Sequence, residues 1–139
     1  MKFTHALLLA GSLAFLACGD DSSSGPSSTG YDCSVTNGVK IVSPAMGETF
    51  TVGQTIDVVF GTSIDEDYRI AFMKSASDMP SELLDASYEL PTPADGKTCY
   101  TVKVTLDAAH GVEATSVGFI RVIPYDTQYK FDSTPIIVK

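Results

Sequence analysis

From residue 39 onward, apolar side chains recur at every second position. In the stretch GETFTVGQTIDVVFGT (Gly47–Thr62), Phe50 and Val52 precede a turn at Gly53-Gln54. Ile56, Val58 and Phe60 then alternate with Asp57 and Val59. Period two marks a strand with one face buried. YRIAFMK (Tyr68–Lys74) places Tyr68, Ile70 and Phe72 on one face. CYTVKVTL (Cys99–Leu106) is the most regular stretch, with Tyr100, Val102, Val104 and Leu106 opposed to Thr101, Lys103 and Thr105. VKIVSP (Val39–Pro44) predicts a short strand stopped by proline, and Val117–Tyr125 and Pro135–Lys139 predict the last two. Between Ser75 and Pro93, Met79–Leu84 fits either a helical turn or a short edge strand, and Ser87–Leu90 a further short strand. Asp65–Asp67 and Asp95-Gly96 read as turns, and Ala108–Ser116 as a loop. About seven short strands with no helical period between them predict an all-β fold of two antiparallel sheets packed face to face.

The first residues follow another rule. Met1–His5 is short and carries one lysine, and Ala6–Ala17 is almost wholly apolar. That is the layout of an export signal, and the run is too short for a membrane span of about 20 residues. Phe15-Leu16-Ala17-Cys18 resembles a bacterial lipobox, with Phe15 standing where leucine is usual. By that resemblance Cys18 is the lipidated first residue of the mature chain, carrying the several acyl chains that stable anchoring requires. The competing reading is plain secretion, with cleavage after Ser12-Leu13-Ala14 and Cys18 left as a free thiol. Gly19–Gly30 has no large apolar residue, so it cannot offset the entropy of ordering. It reads as a leash spanning about 20 Å on average. The expected organisation is a signal peptide at 1–17, a lipidated cysteine and flexible tether at 18–36, and a β-sandwich at 37–139.

Charge narrows the partners. Lys and Arg number 9 against 17 Asp and Glu, a formal charge of −8. Phosphate backbones repel such a surface, so no nucleic-acid partner is expected. Cys33 and Cys99 remain once Cys18 is acylated, and an even pair in an exported protein favours a disulfide over two reduced thiols. Alternation sets Cys99 opposite Tyr100, which puts the bond near a sheet end rather than mid-core.

Little in the chain suggests catalysis. His110 is the one histidine beyond the signal, and no Gly-x-Ser-x-Gly elbow occurs. No catalytic residue and no cofactor are expected, and a Ser–His pair around His110 is the residual enzymatic reading. Asp65, Glu66 and Asp67 are the weak candidates for calcium, lacking any EF-hand spacing, with a solvated turn as the alternative. Tyr125-Asp126-Thr127-Gln128-Tyr129 mixes aromatic rings with hydrogen-bonding groups, as sugar sites do. Tyr125, Asp126, Gln128 and Tyr129 are therefore the candidate ligand residues. The alternative is that one or both tyrosines cap the core, a common use at sandwich corners.

Ile41-Val42-Ser43-Pro44, Gly47, Phe50, Gly53, the strand ending at Phe60, Phe119-Ile120-Arg121-Val122 and Phe131–Val138 follow one another in an order with a parallel elsewhere. This order resembles the immunoglobulin-like domain of the Ser/Thr-rich, GPI-anchored fungal wall proteins and related wall-glucan synthesis proteins. Phe60 stands where that family usually has Trp, and Thr134-Pro135 departs from its closing strand. The resemblance implies an immunoglobulin-like antiparallel β-sandwich, a cell-envelope setting and involvement with surface polysaccharide, without catalytic residues. The expected activity is that of a non-enzymatic, lipid-anchored binding or adhesion module of the bacterial envelope, the outer membrane being the expected membrane. Its partner would be polysaccharide or another surface protein. The alternative is an assembly subunit that pairs through a sheet edge.

Overall fold

A computed structural model describes residues 30–90 and 94–139. Eight strands run in chain order: β1 Val39–Ser43, β2 Glu48–Phe50, β3 Gln54–Thr62, β4 Tyr68–Met73, β5 Ser81–Tyr88, β6 Tyr100–Leu106, β7 Thr115–Pro124 and β8 Asp132–Val138. They form a three-stranded sheet ordered β1-β3-β6 and a five-stranded sheet ordered β2-β8-β7-β4-β5. That distribution is an immunoglobulin-like sandwich in which β5 pairs with β4 rather than with β6. Two three-residue 3-10 turns are the only helical segments among the described residues.

The expected alternation fills the core. Ile56, Val58 and Phe60 of β3, the even positions of β6 and Tyr68, Ile70 and Phe72 of β4 are all buried between the sheets. Ile120 and Val122 of β7 and Ile136 and Val138 of β8 complete that layer. Phe60 lies at its centre, with ring centroids 5.7 Å from Tyr68 and 5.8 Å from Tyr100, both tilted. Such pairs add about 1 kcal/mol each beyond the area they bury.

Three segments differ from the sequence reading. The stretch 47–62 is two strands, because a turn at Thr51–Gln54 carries the chain from one sheet to the other. β2 pairs in parallel with β8, Glu48 opposite Ile136. Within the ambiguous region after Lys74, Ser81–Tyr88 is one edge strand, β5, whose register against β4 shifts on both sides of Ile70. β8 begins at Asp132 and contains Pro135 mid-strand. The Pro135 carbonyl accepts from Gly47 N at 2.8 Å, so its missing N–H faces the side where β2 only begins. A proline is tolerated where no ladder acceptor waits for it.

Cys33 and Cys99 form a disulfide with Cα atoms 5.3 Å apart. Cys99 immediately precedes β6, the sheet-end position expected. With Val59 and Val42 the bond makes a small apolar cluster on the outer face of the three-stranded sheet. Gly61 permits this, since a Cβ there would lie 2.0 Å from the Cys33 carbonyl oxygen. Gly96, at φ +74, links the same segment to β3 by accepting from Val35 N and donating to Thr62 O, both at 2.9 Å. The segment assigned by sequence to the tether is thus fixed to the sandwich from Cys33 onward.

Tyr68 fills the corner between β3 and β4. Its hydroxyl donates to the Ile64 carbonyl at 2.8 Å and pairs with the Thr62 hydroxyl, with both Tyr68 and Thr62 fully buried. Burial pushes its pKa up to about 12 from 10.0, against the opposing Thr62 hydrogen bond and with help from the nearby acidic residues.

Two measurements test this account. The Cys33→Ala, Cys99→Ala double variant, which opens a loop of sequence separation 66, should lose up to about 4 kcal/mol in urea unfolding. An unchanged midpoint would remove the bond from the stability argument. Tyr68→Phe removes the hydrogen bonds of the hydroxyl to the Ile64 carbonyl and to Thr62, leaving Thr62 only its contacts with the Ile64 backbone, at a cost of about 1–3 kcal/mol at neutral pH. Because the folded-state pKa is raised, the Tyr68 contribution is complete below pH 10 and lost as pH climbs toward 12. Wild type and variant should therefore converge in stability over that window, and parallel curves would refute the assignment.

Candidate functional site

The loop joining β7 and β8 combines rigidity with exposed rings. Glu66, in the turn between β3 and β4, grips it. Its Oε2 accepts from Asp126 N and Thr127 N, both at 3.0 Å, and its Oε1 accepts from Thr127 Oγ1 at 2.9 Å. Tyr125 N donates to the Asp67 carbonyl at 2.8 Å. The 3-10 turn Gln128–Lys130 closes the loop, and Lys130 Nζ reaches Asn37 Oδ1 at 2.7 Å. The β3–β4 turn and Asn37, ahead of β1, therefore hold the seven-residue connection 125–131.

Held in this way, Tyr125 is 53% exposed, Tyr129 77% and Phe131 39%. Neither Tyr125 nor Tyr129 caps the core, and Tyr68 does that instead. Arg121 lies over the Phe131 ring at 4.2 Å from its centroid. Alternation along β7 places Arg121, Ile123 and Tyr125 on the outer face of the five-stranded sheet. The register Val122↔Asp132, continued one step, sets Phe131 beside them. The Arg121 side chain has no ion pair or hydrogen bond to another described residue, and its Nε is buried without an acceptor. The Asp126 carboxylate and the Gln128 side-chain oxygen likewise accept no hydrogen bond from another described residue, while Gln128 Nε2 donates to Tyr125 O at 3.2 Å.

The other candidates fall elsewhere. Glu66 spends both oxygens on the loop. Asp65 and Asp67 are exposed, and among the described residues no three His, Cys, Asp or Glu side chains are grouped to hold a metal. His110 ends an exposed 3-10 turn, its Nδ1 2.5 Å from Asp107 Oδ1. Ser81 Oγ lies close to Gly111, but no hydrogen bond joins it to His110. Cys18 lies outside the described residues. Sequence reading missed Arg121 and Phe131, because their shared face depends on β8 starting at Asp132. It also placed Glu66 in a solvated turn with weak calcium potential, where the structure makes it the clamp of the loop.

No family model matches the chain, and no curated protein matches it. A solved structure of fibronectin(III)-like modules of Clostridium thermocellum CbhA is similar, with 24% identity and a TM-score of 0.34. It covers 73% of this chain, which spans 45% of that structure's length. At that score the strand order described above, not the neighbour, supports the fold.

Burial alone would raise the Glu66 pKa. The hydrogen bonds from Thr127 and Asp126, with the Lys130 charge, outweigh it and hold the carboxyl below its ordinary value of 4.5. The clamp is accordingly complete above pH 4.5 and released as pH falls through the depressed value. Glu66→Gln should abolish that acid transition in the Asp126 and Thr127 amide NMR signals and speed their hydrogen exchange at neutral pH. Unchanged exchange would mean that the loop is held by other contacts.

Proposed function

We propose that this chain is a non-enzymatic binding module of the bacterial cell envelope, anchored through acyl chains on Cys18, whose ligand is a polysaccharide or another surface protein. The observation that carries the reading is the clamped β7–β8 loop. Exposed rings cost hydration, and a rigid presentation of three of them lowers the ordering entropy that a ligand would otherwise have to offset. Tyr125, Asp126, Gln128 and Tyr129 combine stacking surface with hydrogen-bonding groups. The lipobox-like Phe15–Cys18 and the polar leash after it support an anchored, exported setting. So does the motif resemblance to the wall-protein domain. The formal charge of −8 opposes nucleic-acid partners.

A second reading, assembly through a sheet edge, has one observation in its favour. β5 runs eight residues and pairs only with β4. The β1 edge is by contrast closed, its Ile41 N–H donating to Asp132 Oδ2 at 2.8 Å.

Two experiments test the proposal. Mass spectrometry of the native polypeptide should find a mature chain starting at an acylated Cys18, and an unmodified N-terminus at Met1 would overturn the anchor. The Cys18→Ser chain should show affinity on a glycan array or in an envelope pull-down, weakened about tenfold or more by Tyr125→Ala with Tyr129→Ala. Crosslinking that instead recovers one stoichiometric protein through β5 would favour the assembly reading.

A further inference from the structure

The two outer faces of the sandwich are finished differently. On the three-stranded sheet, Thr55 pairs with Thr105 at 3.0 Å and Asp57 with Lys103 at 2.8 Å, around the disulfide cluster. That face is solvated and its polar groups are matched. On the five-stranded sheet Ala71, Met73 and Ile123 point outward and lie outside the inter-sheet core, yet all three are buried. Each sits directly across from a long side chain: Ala71 from Arg121, Met73 from Phe119 and Ile123 from Arg69. Directly opposed residues are close enough for the long one to cover the small one with its stem. This face is therefore roofed by its own side chains and is not a broad apolar surface awaiting a second protein. Exposed aromatic surface is concentrated at the β7–β8 end.

The donors there are also distinctive. Arg69 is paired with Glu82 at 3.7 Å, whereas Arg121, half-buried and stacked on Phe131, has no anion. The Arg121 Nε is enclosed, so a ligand would meet the two Nη groups, which also have no hydrogen-bond partner among the described residues. Carboxylates are not scarce nearby: Asp65, Asp67 and Asp126 are exposed at this end of the molecule. None of them pairs with Arg121. Asp132, next to Phe131, is turned toward β1.

We propose that Arg121, Tyr125, Asp126, Gln128, Tyr129 and Phe131 form a subsite for an uncharged polysaccharide. This inference rests on the binding reading above and names its ligand class. The fork of Arg121 donates to sugar oxygens, a role for which its planar donors are suited. Asp126 and Gln128 accept from hydroxyl groups, and the Tyr125 and Tyr129 rings stack on the apolar faces of the sugars. An acidic polymer would meet three exposed carboxylates at the same end, on a chain of net charge −8, with one unpaired guanidinium to hold it. Phe131 acts as a positioning residue, since it fixes the plane of the guanidinium.

The test uses the full chain with Cys18→Ser in affinity electrophoresis. The neutral gels contain hydroxyethylcellulose, dextran, galactomannan or laminarin, and the acidic gels carboxymethylcellulose, polygalacturonate or alginate. At least one neutral polymer should retard the wild type, and acidic polymers should do so about tenfold less well or not at all. Arg121→Gln should weaken retention about tenfold or more, and Arg121→Lys, which keeps the charge but loses the fork, nearly as much. Phe131→Leu should raise the dissociation constant while the melting temperature stays near that of the wild type. Retention by acidic polymers alone overturns the inference but leaves a polysaccharide-binding module. Neutral retention untouched by both Arg121 substitutions does the same. No retention by any polymer, with a protein recovered by envelope pull-down, overturns the inference and moves the ligand to the protein class. The wild-type comparison stands whether or not any variant folds.

Discussion

The contact on which the molecule depends is the packing of Phe60 between the sheets. Its ring meets Tyr100 of the neighbouring strand and Tyr68 of the opposite sheet. Because the Tyr68 hydroxyl is tied to Thr62 and Ile64, the same contact fixes the path of the turn leading into β4. Glu66 stands in that turn, two residues before Tyr68, and Glu66 holds the β7–β8 loop. A core interaction is thus connected to the candidate site through a few residues. The loop presents its rings rigidly because the residue that clamps it sits on a buried corner, even though the loop itself is exposed.

The parts of this architecture that could be read in advance share one property. β3, β4 and β6 each bury one face between the sheets, so burial imposes a strict period of two on their sequences. β5 lacks that signature because it is an edge strand whose register shifts around Ile70. β2 is three residues long, too short to show a period, and its parallel pairing with β8 is a tertiary fact. Pro135 hid the beginning of β8, since a proline inside a strand normally argues against one. The consequence reached the site. With β8 starting at Pro135, Phe131 belongs to a loop, and nothing connects it with Arg121. Once β8 starts at Asp132, both belong to one face. Tyr125 and Tyr129 needed no register, because local composition alone marks an aromatic and polar mixture.

Glu66 illustrates a different limit. Three adjacent carboxylates in a turn suggest a cation, and the sequence contains no sign that the central one faces two backbone N–H groups and a hydroxyl sixty residues away. Those partners supply much of what a metal would supply. They neutralise the carboxylate locally and fix it in one position, so the turn needs no ion to be ordered.

The distribution of features over the two layers bears on how such a module would be presented. Cys33 lies on the outer face of the three-stranded sheet, held by the disulfide, and Val35 just after it is tied to Gly96. Arg121, Tyr125 and Phe131 lie on the outer face of the other sheet. A tether attached at Cys18 would reach the domain on one layer, while the exposed rings would look out from the opposite one. The disulfide would fix where such a tether pulls. Tension arriving at Cys33 would pass directly to Cys99 at the head of β6, a strand hydrogen-bonded along seven residues to β3. It would not pass through β7, β8 or the loop between them. If the chain is anchored at Cys18 and binds through the β7–β8 loop as proposed, the binding face would be kept out of the path of force from the anchor.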